Sequence, residues 1–195
     1  MLPSLAVFHF LVAAAGLWAG PTYQAAADIR FRGTSTLHDF EGSMPPPVFS
    51  VRLSDRTTGQ SDLAVSAEIS VLAAELTTHH EKRDMNMHRM LDLVHFPVIK
   101  VSVADARIPE SGNGEISLLL RIRDRTETIL ARISDWHEDS GGVSFLLDFP
   151  VSLKTFGLRP PSLLGVIRVG DEVVVTCDVH PPIENQVAGL VGKSG

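Results

Sequence analysis

Apolar and polar residues alternate one by one along most of this chain, a period of two that fits strands and excludes helices over those stretches. Val65, Ala67, Ile69 and Val71 alternate with Ser66, Glu68 and Ser70; Ile116, Leu118, Leu120 and Ile122 alternate with Ser117, Leu119 and Arg121. The same holds for Ile129, Ala131 and Ile133, for Phe145, Leu147, Phe149 and Val151, and for Val173, Val175, Cys177 and Val179. Further strands are expected over Ile29–Thr34, Val48–Leu53 and Val98–Ala106. Turn residues separate them, with Gly59 in 55–60, two glycines in 109–114 and a Gly pair ending 139–142. About eight antiparallel strands with short polar turns predict an all-β, eight-stranded up-and-down barrel, with a β-sandwich as the competing fold.

One stretch breaks the pattern. From Lys82 to Val94 the apolar residues Met87, Met90, Leu91 and Val94 recur at the spacing of one helix face. Thr77 or Thr78 is placed to cap this helix, Glu81 falls in its first turn, and Pro97 ends it. The Met face must be buried, most economically across a barrel mouth, where flexible thioethers make an adaptable apolar wall. Ordinary core packing explains such a face equally well.

The first 27 residues hold no Lys, Arg, Asp or Glu, Leu5 to Trp18 is mostly apolar, and Ala25–Ala27 precede Asp28. This reads as a secretory leader over 1–27, cleaved near Ala27, although no Lys or Arg follows Met1. An uncleaved anchor is the competing reading, but the apolar run falls short of the ~20 residues a span needs, and Pro21 follows it closely. The remaining domain is expected over 28–182, with a flexible tail over 183–195. It is large enough for a core without staples, and its single Cys177 forms no internal disulfide. Cys177 reads as a small apolar strand residue.

The chain's formal charge of −6 lies entirely after the leader. With no basic run it suits neither nucleic acid nor stable attachment to an anionic membrane. Small molecules, lipids and proteins remain as partners, and a homodimer is compatible with the chain.

Two polar clusters could carry chemistry. Asp84, His88, Asp92 and His95 fall on one helical stripe and, with His79 or His80, have the residue types of a metal site; the plainer reading is a solvated face opposite the methionines. Ser35, His38 and Asp39 are the residue types of a nucleophile triad, but within five residues their side chains diverge. No nucleophile elbow, phosphate loop, dinucleotide fingerprint or haem attachment motif is present. Trp136–His137 is expected at a surface turn.

Three segments, taken in order and spacing, resemble the YceI-like family of secreted, lipocalin-like lipid-binding proteins. They are Ser35–Gly42 (STLHDFEG), the helix exit from Met87-His88-Arg89-Met90 through His95–Ile99, and Phe149-Pro150-Val151 through Gly165–Asp171. The likeness runs from about Asp28 to Val179. It differs at Arg123-Asp124-Arg125, where the family usually has a turn glycine, and at Phe40, where many members carry Trp. The resemblance implies an eight-stranded barrel holding a polyisoprenoid or similar chain in the periplasm, and no catalysis.

The expected function is therefore a non-catalytic periplasmic carrier for a long apolar chain: a polyisoprenoid, an isoprenoid quinone or a related lipid. No cofactor, no metal and no stable membrane insertion after leader cleavage are expected. A metal-binding protein using the 82–95 helix, or a hydrolase around His38, are the alternatives. From the alternation, the ligand would meet Val65, Ala67, Ile69, Leu118, Leu120, Ala131, Ile133, Phe145 and Leu147 inside the barrel. Met87, Met90, Leu91 and Phe156 would form its lid or mouth.

Overall fold

A computed structural model describes residues 21–54, 63–109, 111–160 and 168–182. The turn expected at 55–60, part of the Gly165–Asp171 motif, most of the leader and the 183–195 tail lie outside the described residues.

The strands are β1 (Thr22–Ser35), β2 (Phe40–Ser43), β3 (Val48–Leu53), β4 (Leu63–Leu72), β5 (Val98–Ile108), β6 (Gly114–Ile122), β7 (Arg125–Asp139), β8 (Gly142–Ser152) and β9 (Val169–His180). They form one antiparallel sheet, and pairing of β1 with β9 closes it on itself. Closure leaves no strand edge except the outer side of the short β2 and creates a single interior face.

Nine segments make an eight-stranded barrel because β2 and β3 share one position. Along one edge of β1, residues Arg30–Gly33 pair with β2 and Thr22–Ala26 pair with β3. Pro45, Pro46 and Pro47 lie between them and cannot donate ladder hydrogen bonds, so the strand is interrupted there. The β1–β2 ladder is close-packed through two reciprocal pairs, Phe31 opposite Gly42 and Phe40 opposite Gly33. Each ring lies across the glycine, in the space a Cβ would take.

Helix α1 covers Glu81–Leu91, shorter at its end than the expected Lys82–Val94. Asp92 adopts a left-handed conformation (φ 54°) and stops it, so Val94 is not on the buried face but 88% exposed. Capping is also reversed from the sequence expectation. The N-cap residue is His80, and no side chain caps it. Instead the Asp84 carboxylate, one turn in, accepts hydrogen bonds from the Thr77 hydroxyl (2.8 Å), the Thr78 amide (2.7 Å) and the Thr78 hydroxyl (2.5 Å). His88 Nε2 contacts the Leu76 carbonyl at 2.9 Å. Asp84 and His88 therefore face the 76–78 segment, not open water as expected, while Asp92 and His95 lie beyond the helix. The same segment bonds to β2 through two amide–carbonyl contacts between Ser43 and Thr77 (2.8 and 2.9 Å). Leu76–Thr78 and α1 thereby fill the gap left where β2 does not pair with β4.

Two left-handed aspartates change which residues face inward. Asp105 (φ 52°) lies where the β4–β5 register shifts, so the buried set on β5 passes from odd numbers to Ala106 and Ile108. Asp135 (φ 55°) does the same on β7, and Trp136, expected at a surface turn, is instead within the strand and faces inward. Arg123, at the departure from the family's glycine, also takes positive φ (59°) in the β6–β7 turn, with its guanidinium 5.5 Å from the Phe96 ring centroid.

Candidate functional site: an apolar cavity under the helix

The barrel interior is not filled. It contains a cavity of about 620 Å³, within the range of small-molecule sites and well beyond packing defects. Strand registers fix its axis. The end of β1, the start of β7, the end of β8 and the start of β9 meet at the α1 side, while Trp136 and Phe145 lie toward the opposite end.

Of the residues expected to meet a ligand, Val65, Ala67, Ile69, Leu120, Ile133, Phe145 and Leu147 line the cavity from the wall, and Met87, Met90 and Leu91 line it from α1. Leu118, Ala131 and Phe156 do not. They are at most 1% exposed and lie in the packed core, covered by neighbours. Alternation identifies the inward face; it does not tell a residue at the cavity surface from one packed beneath it.

Several lining residues were not anticipated. Ile29 and Phe31 on β1, Ile99, Val101 and Val103 on β5, and Val173, Val175 and Cys177 on β9 complete the wall. Their period-two pattern was a usable signal. Trp136 stacks on Phe145 with ring centroids 5.1 Å apart. Its signal was the lone aspartate before it inside a strand pattern, a residue type that tolerates positive φ. Burial pushes the Cys177 thiol up to about 12, with the Asp148 carboxylate adding to it. A thiol so protonated is an apolar wall group, not a nucleophile.

The polar lining residues cluster at the α1 end: Ser35 at the end of β1 and His38 beyond it, and Thr78, His80, Lys82, Arg83 and Asn86 on and before the helix. The Ser35 hydroxyl donates to the His38 carbonyl (2.6 Å) and accepts from the Leu37 and His38 amides. It closes a turn, and it is not bonded to the His38 ring. No three His, Cys, Asp or Glu side chains come together as a metal site among the described residues. At Asp84, burial raises the pKa, but the hydrogen bonds from Thr78 and Thr77 outweigh it and hold the carboxyl below its ordinary value.

Residues 23–180 match the model of the YceI-like domain. No curated protein sequence matches the chain. Among solved structures, it is similar to BcnA of Burkholderia cenocepacia (TM-score 0.61, 11% identity, covering 78% of this chain and 94% of that one). It is also similar to a polyisoprenoid binding domain from Saccharophagus degradans implicated in plant cell wall breakdown (TM-score 0.56, 12% identity, 83% and 100% covered). The YceI protein of Campylobacter jejuni gives a TM-score of 0.51 at 14% identity, with 73% and 85% covered. At these identities the likeness is one of fold.

Proposed function

Since the chain belongs to the YceI-like family, we propose that it is a non-catalytic binding or carrier protein for a long apolar chain, of the polyisoprenoid, isoprenoid-quinone or related lipid class. The observation that carries this reading is the 620 Å³ apolar cavity running between Trp136 and α1. The polyisoprenoid-binding description of the Saccharophagus domain supports the ligand class.

Desolvation of the apolar chain would supply the bulk of the binding free energy. Each buried methylene contributes ~0.8 kcal/mol, so twenty give a gross ~16 kcal/mol before ordering costs. No catalytic group is needed, and Ser35 is committed to its turn.

The reading extends to a periplasmic location and a cleaved leader. The cleavage position fits the fold better upstream of Thr22 than at Ala27. Thr22–Ala26 pair with β3, and Ala25, Ala26 and Ala27 are at most 1% exposed.

Native mass spectrometry of protein purified from the periplasm, followed by solvent extraction, tests the proposal. A bound mass matching an isoprenoid chain is expected. A protein recovered there without ligand, and unable to take up an isoprenoid alcohol, would overturn it.

A further inference from the structure

The cavity lining carries charge of one sign only. Among the described lining residues there is no Asp or Glu, whereas Lys82 and Arg83 are present, with His38 and His80 beside them. This occurs in a chain whose overall charge is −6. All four sit at the α1 end, on the border between apolar wall and solvent.

Their polar ends are also uncommitted. Among the described residues, Lys82 and Arg83 form no ion pair and donate no side-chain hydrogen bond, and the Arg83 guanidinium lies over the Phe40 ring, 5.5 Å from its centroid. The carboxylates nearest in sequence do not compensate them. Asp84 is held by Thr77 and Thr78, and Glu81 and Asp39 are exposed and do not line the cavity. Asn86 Oδ1 accepts from Arg89, which leaves its amide NH₂ as a further donor at the mouth.

Resting on the carrier reading above, we propose that the ligand ends in an anionic head group, a phosphate ester or a carboxylate, seated at the mouth by Lys82 and Arg83 while its chain fills the barrel. A guanidinium fixed over an aromatic ring offers a preset fork to an oxyanion, and a lysine on the adjacent residue adds a mobile point charge. A cavity that is apolar along its length and cationic at one end orders such a ligand tail-first. An uncharged alcohol gains the same burial but none of this attraction.

The test is calorimetric titration of the protein with two matched pairs: geranylgeraniol against geranylgeranyl monophosphate, and hexadecanol against palmitate. The wild type is expected to prefer the anionic member at least about tenfold in one pair or both, less at high salt. The pair that shows it tells phosphate from carboxylate. Lys82→Gln alone should reduce the preference, and Lys82→Gln with Arg83→Gln should bring it within about threefold of unity, through loss of affinity for the anion. Equal wild-type affinity for alcohol and anion, or a preference that survives the double substitution, overturns the head-group proposal and leaves the carrier reading standing. Failure of every probe to bind overturns both.

Discussion

At one end of the barrel the interior is bounded by side chains on strands, Trp136 stacked on Phe145 among them; at the other it is bounded by α1 and the Leu76–Thr78 segment, neither of which belongs to a continuous ladder. The turns and bulges of the Trp136 end carry Asp105, Asp135, Glu138 and Asp139, while the lining at the helix end carries Lys82 and Arg83. The strand wall is laddered at both ends: toward Trp136, Thr22–Ala26 of β1 pair with β3, and toward the helix Arg30–Gly33 pair with both β2 and β9. The elements that cover the helix-end opening, α1 and Leu76–Thr78, are held by two amide–carbonyl contacts and by the Asp84 cluster. The proposed carrier role would use this inequality: one end shut by burial among strands, and one covered by elements held weakly enough to admit a chain.

The strongest way to break this contrast is to strip the Trp136 end. A chain beginning at Asp28 lacks the half of β1 that pairs with β3 and loses three buried alanines. It is expected to lose on the order of 5 kcal/mol or more, which is most of a domain's stability, relative to one beginning at Pro21. Urea unfolding of the two compares them directly. Equal midpoints would mean that the β1–β3 ladder does not hold that end, and would remove the objection to cleavage at Ala27.

Single side chains should show the same asymmetry on a smaller scale. Trp136→Ala removes the stacked ring and is expected to cost about 3 kcal/mol. Met90→Ala, on a part-exposed thioether of α1, should cost under about 1.5 kcal/mol yet weaken isoprenoid binding. If Met90→Ala proves the more destabilising, the helix is a core element rather than a lid.

How much of this was legible in the sequence depends on the same two ends. Along the middle of the wall, Val65, Ala67, Ile69 and Leu120 were readable because a strand's side chains change face at every residue, so burial leaves a direct trace. Near the Trp136 end the trace fails at Asp105 and Asp135, where one extra residue reverses the parity and sends Trp136 inward. At the helix end it fails for another reason. His38, His80, Lys82 and Arg83 come from separate polar segments, and only the closure of β1 on β9 and the Ser43–Thr77 contacts bring them to one opening. Asp84 was misplaced as a solvated residue because helix spacing assigns it a face but cannot show that Thr77 and Thr78 fold back over it.

Acid should separate the ends as well. Because the Asp84 carboxyl lies below its ordinary value when folded, its contribution is fully present above the ordinary carboxylate pKa of ~3.9 and is lost as pH falls through the lowered folded value. Asp84→Asn is expected to cost roughly 1 kcal/mol at neutral pH, and the gap from wild type should close in strong acid. Amide exchange should show the loosening at 76–91 before the β8–β9 ladder. A gap that stays constant with pH would mean that charge on Asp84 does not hold the helix.

The smallest effect lies where α1 stops. Asp92 sits at φ 54°, a conformation that glycine adopts freely and alanine does not. Its carboxylate does have a partner, His95 Nδ1 at 2.8 Å, but that histidine is 71% exposed, so the pair contributes a few tenths of a kcal/mol at most. Asp92→Gly should therefore stabilise the protein by roughly 0.5 kcal/mol, and Asp92→Ala should destabilise it by a similar amount, a difference of about 2–4 °C in Tm. Both variants should bind ligand as the wild type does, because Asp92 does not line the cavity. Identical melting temperatures would show that the helix end is not set by backbone conformation at this residue. In that case the termination before Val94 would have to come from the α1–β5 connection itself, in which the Asp92 carbonyl accepts from the Phe96 amide and the Ala73 amide donates to the Pro97 carbonyl.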